Sequence, residues 1–358
     1  MSKPTQQNFA FRFLNEVYQP GENVVFSPTS IQFCFALAAL GAGGETRDQI
    51  CNVLGLPTDD AGLLAFLMSG NTPAEGLSVA NAVFVDQKAT LIPNYLEAVQ
   101  RAATVESLNF ADGDAAAEII NQMVREATKN MIAGIVDAAA VQNAVMVLVN
   151  AIHFAREWAE KLTLIGDKEF KLDDGNTVKV PFISTGVKER KVLYAKMAGY
   201  QVVSLPYEGG NFNGVLVIPD DNVSVAKMVD SLTESGLQEA WSALRMQDVK
   251  LSFPKFKIKW EYELSILLKA LGITNAFVPA LADFRYMCDQ LLFASQVLHK
   301  AVIEVDEDGT RAAAVTAVVM RSLSISIPIV IDVDRPFLFA VVGKDGEIHF
   351  LTAVENPQ

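Results

Sequence analysis

One stretch near the C-terminus constrains the fold more than any other. Thr310-Arg311-Ala312-Ala313-Ala314-Val315-Thr316-Ala317-Val318-Val319-Met320 follows the alternating Val302-Ile303-Glu304-Val305 and an acidic turn, Asp306-Glu307-Asp308-Gly309. Successive side chains of a strand point to opposite faces. Divided that way, Thr310, Ala312, Ala314, Thr316, Val318 and Met320 make one face, uncharged throughout and small at its first four positions. Arg311, Ala313, Val315, Ala317, Val319 and Arg321 make the other. No proline occurs before Pro328, so every backbone N–H is free to join a ladder. A strand so built can slide between two existing strands, burying its uncharged face and leaving its charged face wet. An ordinary amphipathic edge strand and a flexible small-residue linker are the alternatives, and the valines weigh against the second.

The rest of the chain must supply a sheet large enough to receive such a strand. At 358 residues, 51% hydrophobic and 20% charged, it is of ordinary globular composition and long enough for a large core without disulfide staples. Phe is over-used, at 21 against 7 Tyr and 3 Trp, which predicts an apolar core rich in Phe. The first half reads as helical. Phe9, Phe13, Leu14 and Val17 share a helix face, and Ser27-Pro28 caps and opens a helix over 31–40 that ends at Gly41-Ala42-Gly43-Gly44. A helix over 45–54 closes at Gly55, a strand covers 77–85, and helices cover 94–101 and 114–130. Strands follow at 145–154, 190–194, 201–206, 213–218, 249–253 and 301–305, interrupted by helices over 223–235 and 262–271. No repeat or linker divides the sequence, so a single α+β domain over 1–358 is predicted.

Chemistry-bearing patterns are sparse. The three histidines, His153, His299 and His349, lie far apart, and there is no HExxH, GxSxG or GxxxxGK[ST]. His153 and His299 stand in apolar runs and read as core histidines with satisfied hydrogen bonds. No nucleophile, base and orienting group can be assembled, so the chain is not expected to be an enzyme, to hold a metal or to need a cofactor. Cys34, Cys51 and Cys288 form no CxxC pair and read as buried free thiols of a reducing compartment. A net charge of −13, from 29 Lys+Arg and 42 Asp+Glu, argues against a nucleic-acid partner. No apolar run is long enough to span a membrane, and the polar first seven residues lack a signal's apolar core. A cytoplasmic location is therefore expected, with signal-independent export as the alternative.

The ordered motifs resemble the serpin family over nearly the whole chain. Asn23-Val24-Val25-Phe26-Ser27-Pro28-Thr29-Ser30-Ile31 is similar to the family segment that opens the second helix, and Gly41-Ala42-Gly43-Gly44-Glu45-Thr46 to the turn after it. Val149-Asn150-Ala151-Ile152-His153-Phe154, with Trp158 beyond it, resembles a strand of the central sheet. Leu205-Pro206-Tyr207-Glu208-Gly209, Phe253-Pro254-Lys255-Phe256 and Leu271-Gly272-Ile273-Thr274 are further likenesses. The most specific is Val297-Leu298-His299-Lys300-Ala301-Val302-Ile303-Glu304-Val305 leading through Glu307-Asp308-Gly309-Thr310 into the alanine run, and Arg335-Pro336-Phe337-Leu338-Phe339 follows as in the family.

The resemblance implies an α+β serpin fold of three β-sheets with eight or nine helices and an exposed reactive-centre loop, here about residues 307–328. It implies inhibition as a suicide substrate: a protease cuts the loop, forms an acyl-enzyme, and is trapped when the loop inserts into the central sheet. The hinge would be Glu307, Gly309, Thr310, Arg311, Ala312, Ala313, Ala314 and Val315. In inhibitory members the hinge acid and the residue before the cut bond stand seventeen positions apart counting both, which from Glu307 gives Leu323-Ser324. Leucine there suits a chymotrypsin-like or cathepsin-G-like serine protease. Arg321-Ser322, for a trypsin-like enzyme, is the alternative, and papain-like cysteine proteases also pass through an acyl-enzyme. Ser27, Ser30, Asn150 and His299 would form a hydrogen-bonded shutter, and Trp158, Lys255 and Glu307 the breach where the loop enters. The partner expected is a protease, with no heparin site because 56–77 has no basic cluster, and a monomer prone to loop–sheet polymers. A non-inhibitory chaperone, storage protein or ligand carrier is the alternative function. Departures from the family pattern are Arg311 for an acid, Val315 for a smaller residue, Ala155-Arg156 for Lys-Gly, Met123 for Trp and Thr352 for Gly.

Overall fold

The computed structural model describes residues 5–70, 75–186, 190–310 and 328–358. The reactive-bond residues Arg321, Ser322, Leu323 and Ser324, and the hinge residues from Arg311 to Val315, lie outside the described residues. Two compact units emerge, each assembled from three separate segments.

The first unit comprises residues 1–16, 26–153 and 260–301. At its centre the helix Pro28–Gly41 is buried on nearly every side, as expected of a helix whose apolar residues surround its axis. It packs on the helices Gly44–Leu54 and Asp60–Gly70 and on the strand Leu77–Asp86. Ser27 caps it as the sequence predicts, accepting the Ser30 N–H at 3.2 Å, with Pro28 in the first turn. Gly55, with φ 68°, ends the next helix. The strand Met146–Phe154 is buried at all nine positions, the pattern of a strand covered on both faces. The part of the five-stranded sheet that lies in this unit orders residues 260–263, 296–301, 146–153, 77–86 and 104–108. Phe9, Phe13, Phe26, Phe35, Phe84 and Phe110 are among its largest fully buried side chains.

The second unit comprises residues 17–25, 154–259 and 302–358. Its frame is a ten-stranded sheet in which Phe337–Gly343 lies between Ile348–Val354 and Phe212–Pro219, followed by Tyr200–Pro206, Arg190–Lys196, Arg245–Pro254, Thr177–Ser184 and Thr163–Lys171. Ile329–Asp332 pairs parallel to Arg245–Pro254. Phe154, Phe170, Phe182, Phe253 and Phe337 fill its core, so the predicted Phe-rich interior is present in both units.

The structure corrects several local expectations. The helix read over 223–235 is two helices, Val225–Ser231 and Glu234–Ala243: Leu232 turns extended and Thr233 caps the second, accepting the Gly236 N–H at 3.1 Å. The helix read over 262–271 begins only at Ser265, because Tyr262 completes the strand Phe256–Glu263. The acidic stretch after Leu56 carries the helix Asp60–Gly70. Ten α-helices are described, against the eight or nine expected, the shortest being the single turn Ala138–Val141. All three cysteines are buried and free. Thr352, a departure from the family pattern, is fully buried and its Oγ1 has no hydrogen-bond partner among the described residues.

Candidate functional site

Two polar clusters contain every described site residue predicted from sequence. The first lies within the first unit. His299 projects from Gln296–Val305 and is fully buried; its Nε2 accepts the Ser27 N–H at 3.4 Å, and its Nδ1 meets Asn150 Oδ1 at 2.5 Å. Because the amide oxygen can only accept, Nδ1 carries the proton and the ring is neutral. Burial lowers the His299 pKa to about 3, so it stays neutral at ordinary pH. Asn150 is one residue inside the fully buried strand Met146–Phe154. Its Nδ2 donates to the Ser30 carbonyl at 3.0 Å and reaches Ser30 Oγ and Asn81 Oδ1. Trp260 packs edge-on against the His299 ring with centroids 6.0 Å apart. The predicted four thus come together.

Asn81 was not foreseen. It sits on Leu77–Asp86 between Ala80 and Ala82, and Ser30 Oγ donates to its Oδ1 at 3.4 Å. The sequence signal was a lone amide inside an apolar strand, which becomes legible only when the facing helix is known. Within this cluster Asn150 on Met146–Phe154 bonds directly to His299 on Gln296–Val305, and no strand separates the two among the described residues.

The second cluster lies within the second unit. Residues 306–309 form a tight acidic turn: Asp306 Oδ1 accepts the N–H of Asp308 at 3.0 Å and of Gly309 at 3.1 Å, and Asp306 N–H donates to Gly309 O at 2.8 Å. Burial pushes the Asp306 carboxyl up. Gly309 has φ +149°, and a Cβ there would lie 2.3 Å from the Arg156 carbonyl oxygen, so glycine is obligatory. Gly309 and Thr310 pair antiparallel to Glu157 and Arg156. Thr310 is fully buried, its Oγ1 3.0 Å from the Tyr207 hydroxyl.

Trp158 organises this cluster. Its Nε1 donates to Asp306 O at 2.9 Å, its N–H to Asp308 O at 3.0 Å, and its ring stacks on Tyr207 with centroids 4.3 Å apart and planes 10° from parallel. On the adjoining strand a Cβ at Gly214 would sit 2.6 Å from the indole, so that glycine makes room for the ring. Lys255 meets Glu307 at 2.6 Å as a contact of charges without an aligned hydrogen bond, and Lys161 pairs with Asp308 at 2.7 Å. The Lys255 ammonium holds the Glu307 carboxyl below its ordinary range. The predicted trio Trp158, Lys255 and Glu307 is therefore assembled; Tyr207, Gly214 and Lys161 were not foreseen in this role. Arg156, where the family has glycine, turns outward and donates from Nε to Glu208 O at 3.0 Å.

Residues 4–357 match the family described as Serpin (serine protease inhibitor). Serpin-ZXA of rice, Oryza sativa subsp. japonica, is 33% identical, with 98% of this chain aligned to 96% of it. Iripin-2 of the tick Ixodes ricinus is 32% identical over 99% of this chain and 94% of its own. Human thyroxine-binding globulin complexed with thyroxine superposes with a TM-score of 0.87 at 28% identity, covering 99% of this chain and 98% of that one. The chain belongs to the serpin family.

Proposed function

We propose that this serpin inhibits a serine protease as a suicide substrate, with Leu323-Ser324 as the bond attacked. The observation that carries the reading is Thr310: the first residue of the uncharged face is buried and paired antiparallel beside Arg156. A segment that continues from there in the same sense enters as an antiparallel strand, with Ala312 and Ala314 following Thr310 inward and Arg311 outward. Arg156–Glu157 follows Met146–Phe154 in the chain, and Glu307 follows Gln296–Val305. Among the described residues these two strands neighbour each other with no strand between them, which supports a form awaiting insertion.

In this mechanism the protease supplies the catalytic serine and its own bond-breaking machinery. Attack on the Leu323 carbonyl forms an acyl-enzyme and frees the amine of Ser324. Insertion of the acylated segment then carries the protease away before water completes hydrolysis. Trp158, Lys255 and Glu307 act where the strand enters; Ser27, Ser30, Asn150 and His299 release and re-form hydrogen bonds as the sheet opens. Leucine before the bond favours a chymotrypsin-like or cathepsin-G-like target over a trypsin-like one acting at Arg321-Ser322.

The experiment is thermal unfolding before and after a single cut in 311–327. Insertion adds a strand, so the cut protein should melt well above the intact one, by tens of degrees. An unchanged melting temperature would favour the second reading, a ligand carrier, which the likeness to thyroxine-binding globulin supports.

A further inference from the structure

A cleft of about 210 Å³ in the first unit has no role in the reading above. One wall is the segment 135–140, which leads into the strand Met146–Phe154; the other is formed by 261–263 and 296–299. Ile135, Val136, Ala140, Tyr262 and Leu298 give it an apolar lining, to which His299 also contributes. At this volume it lies below the range of drug-sized sites and suits a ligand of about a dozen non-hydrogen atoms.

The polar groups at its rim share one sign. Asp137, Glu261 and Glu263 line the cleft, and Lys300 is the cation bonded to Glu261, which leaves 3 − 1 = 2 negative charges. Each carboxylate spends one oxygen on the fold. Asp137 Oδ1 accepts the Ala140 N–H at 2.9 Å, Glu263 Oε1 accepts the N–H groups of Ser265 at 3.1 Å and Val297 at 2.9 Å, and Glu261 Oε2 meets Lys300. The second oxygen of each has no hydrogen bond among the described residues, and neither does the amide of Gln296 at the same rim. An apolar slot whose lining includes carboxylates with unfilled acceptor oxygens selects a compact cation with an apolar body.

We propose that this cleft binds a small aromatic amine, and that the bound amine holds the central sheet in its five-stranded form. The second part follows from what the walls belong to. Residues 135–140 are tied to the sheet by Lys300, whose Nζ donates to Gly134 O at 2.8 Å, and they continue into the strand that carries Asn150. The opposite wall includes His299, which bonds Asn150 at 2.5 Å across the seam that insertion must open. A ligand touching both walls binds the closed seam better than the parted one, and so shifts the population toward it. The proposal goes beyond the inhibitory reading, and its test uses no protease.

The probe is tryptamine, with 3-ethylindole as the uncharged control, titrated by calorimetry into the intact chain. Tryptamine should bind with a dissociation constant of about 0.1–1 mM, as expected of a ligand this small, and the control about tenfold more weakly. Ala140→Trp, which fills the slot, should abolish binding. Asp137→Asn combined with Glu261→Gln, which preserves the cap and the Gly134 bond, should weaken it about tenfold. Amide exchange across 146–154 and 296–301 should slow when tryptamine is bound. Equal affinity for amine and control, or binding that survives both sets of substitutions, overturns the site. Binding that leaves exchange in both strands unchanged overturns the coupling to the sheet.

Discussion

The polar network of the first unit and the acidic hinge of the second are both held by hydrogen bonds, but on opposite terms. Ser27, Ser30, Asn150 and His299 are sealed from water and carry no charge, so every bond is made at low dielectric and every lost partner leaves a buried group unsatisfied. Asp306, Glu307 and Asp308 with Lys161 and Lys255 are charged and partly wet, and their ion pairs are screened. What fixes the hinge is instead the self-bonded turn, the close approach at Gly309 and the Trp158–Tyr207 stack. The neutral network can be broken and re-made without stranding a charge, which suits a seam that opens in the proposed insertion. In the proposed insertion the hinge needs only to aim one small, uncharged side chain, Thr310, into the interior, where it is already buried.

The largest effect is expected at that side chain. Thr310→Arg requires a charge to be buried beside Tyr207, so the protein should be cleaved as a substrate and its stoichiometry of inhibition should rise roughly tenfold or more; an unchanged stoichiometry would show that the inward face is misassigned. Next come Asn150→Ala and His299→Ala, each leaving buried partners unpaired and a cavity behind. Each should cost about 2–4 kcal/mol in urea unfolding. A loss under about 0.5 kcal/mol would mean that the network's polar character is incidental.

Acid should separate the two regions further. The native His299 takes up a proton only near pH 3, whereas the unfolded chain takes it up near 6.5, so its stabilising contribution is complete above pH 6.5 and is lost progressively as pH falls toward 3. By pH 4.5 this amounts to about 2–3 kcal/mol. His349, lowered by burial to about 4, adds to the same window. Glu307, held below its ordinary 4.5, loses its contribution only at lower pH. Wild type should therefore weaken between pH 6.5 and 4.5, and His299→Gln should flatten part of that slope. The smallest effect is expected for Lys255→Ala, about 1 kcal/mol or less and smaller still in high salt. A larger, salt-independent loss would place the ion pair among the interactions that fix the hinge.

The same contrast explains what sequence reading could reach. His299 stands out because a polar residue inside an apolar run needs a partner, and Ser27-Pro28 announces a helix start, whereas Ser30 and Asn150 are reached only through the family resemblance. Asn81 escaped because its strand gives no sign of which helix faces it. At the hinge, parity alone assigned Thr310 to the buried face, and the structure agrees. Tyr207 and Gly214 were invisible as partners of Trp158 because their link is a stack and a missing Cβ, neither of which leaves a periodic trace. Among the elements, buried strands and capped helices were legible. The break at Leu232 was not, because Thr233 restarts a helix within two residues of the last one's end.

The most direct test of loop insertion as the function of this chain is to mix it with chymotrypsin and measure intact masses beside a denaturing gel. The account predicts a denaturant-resistant adduct of serpin and protease together with a released peptide beginning at Ser324. Cleavage at that bond with both proteins recovered free, and no adduct formed, would contradict it.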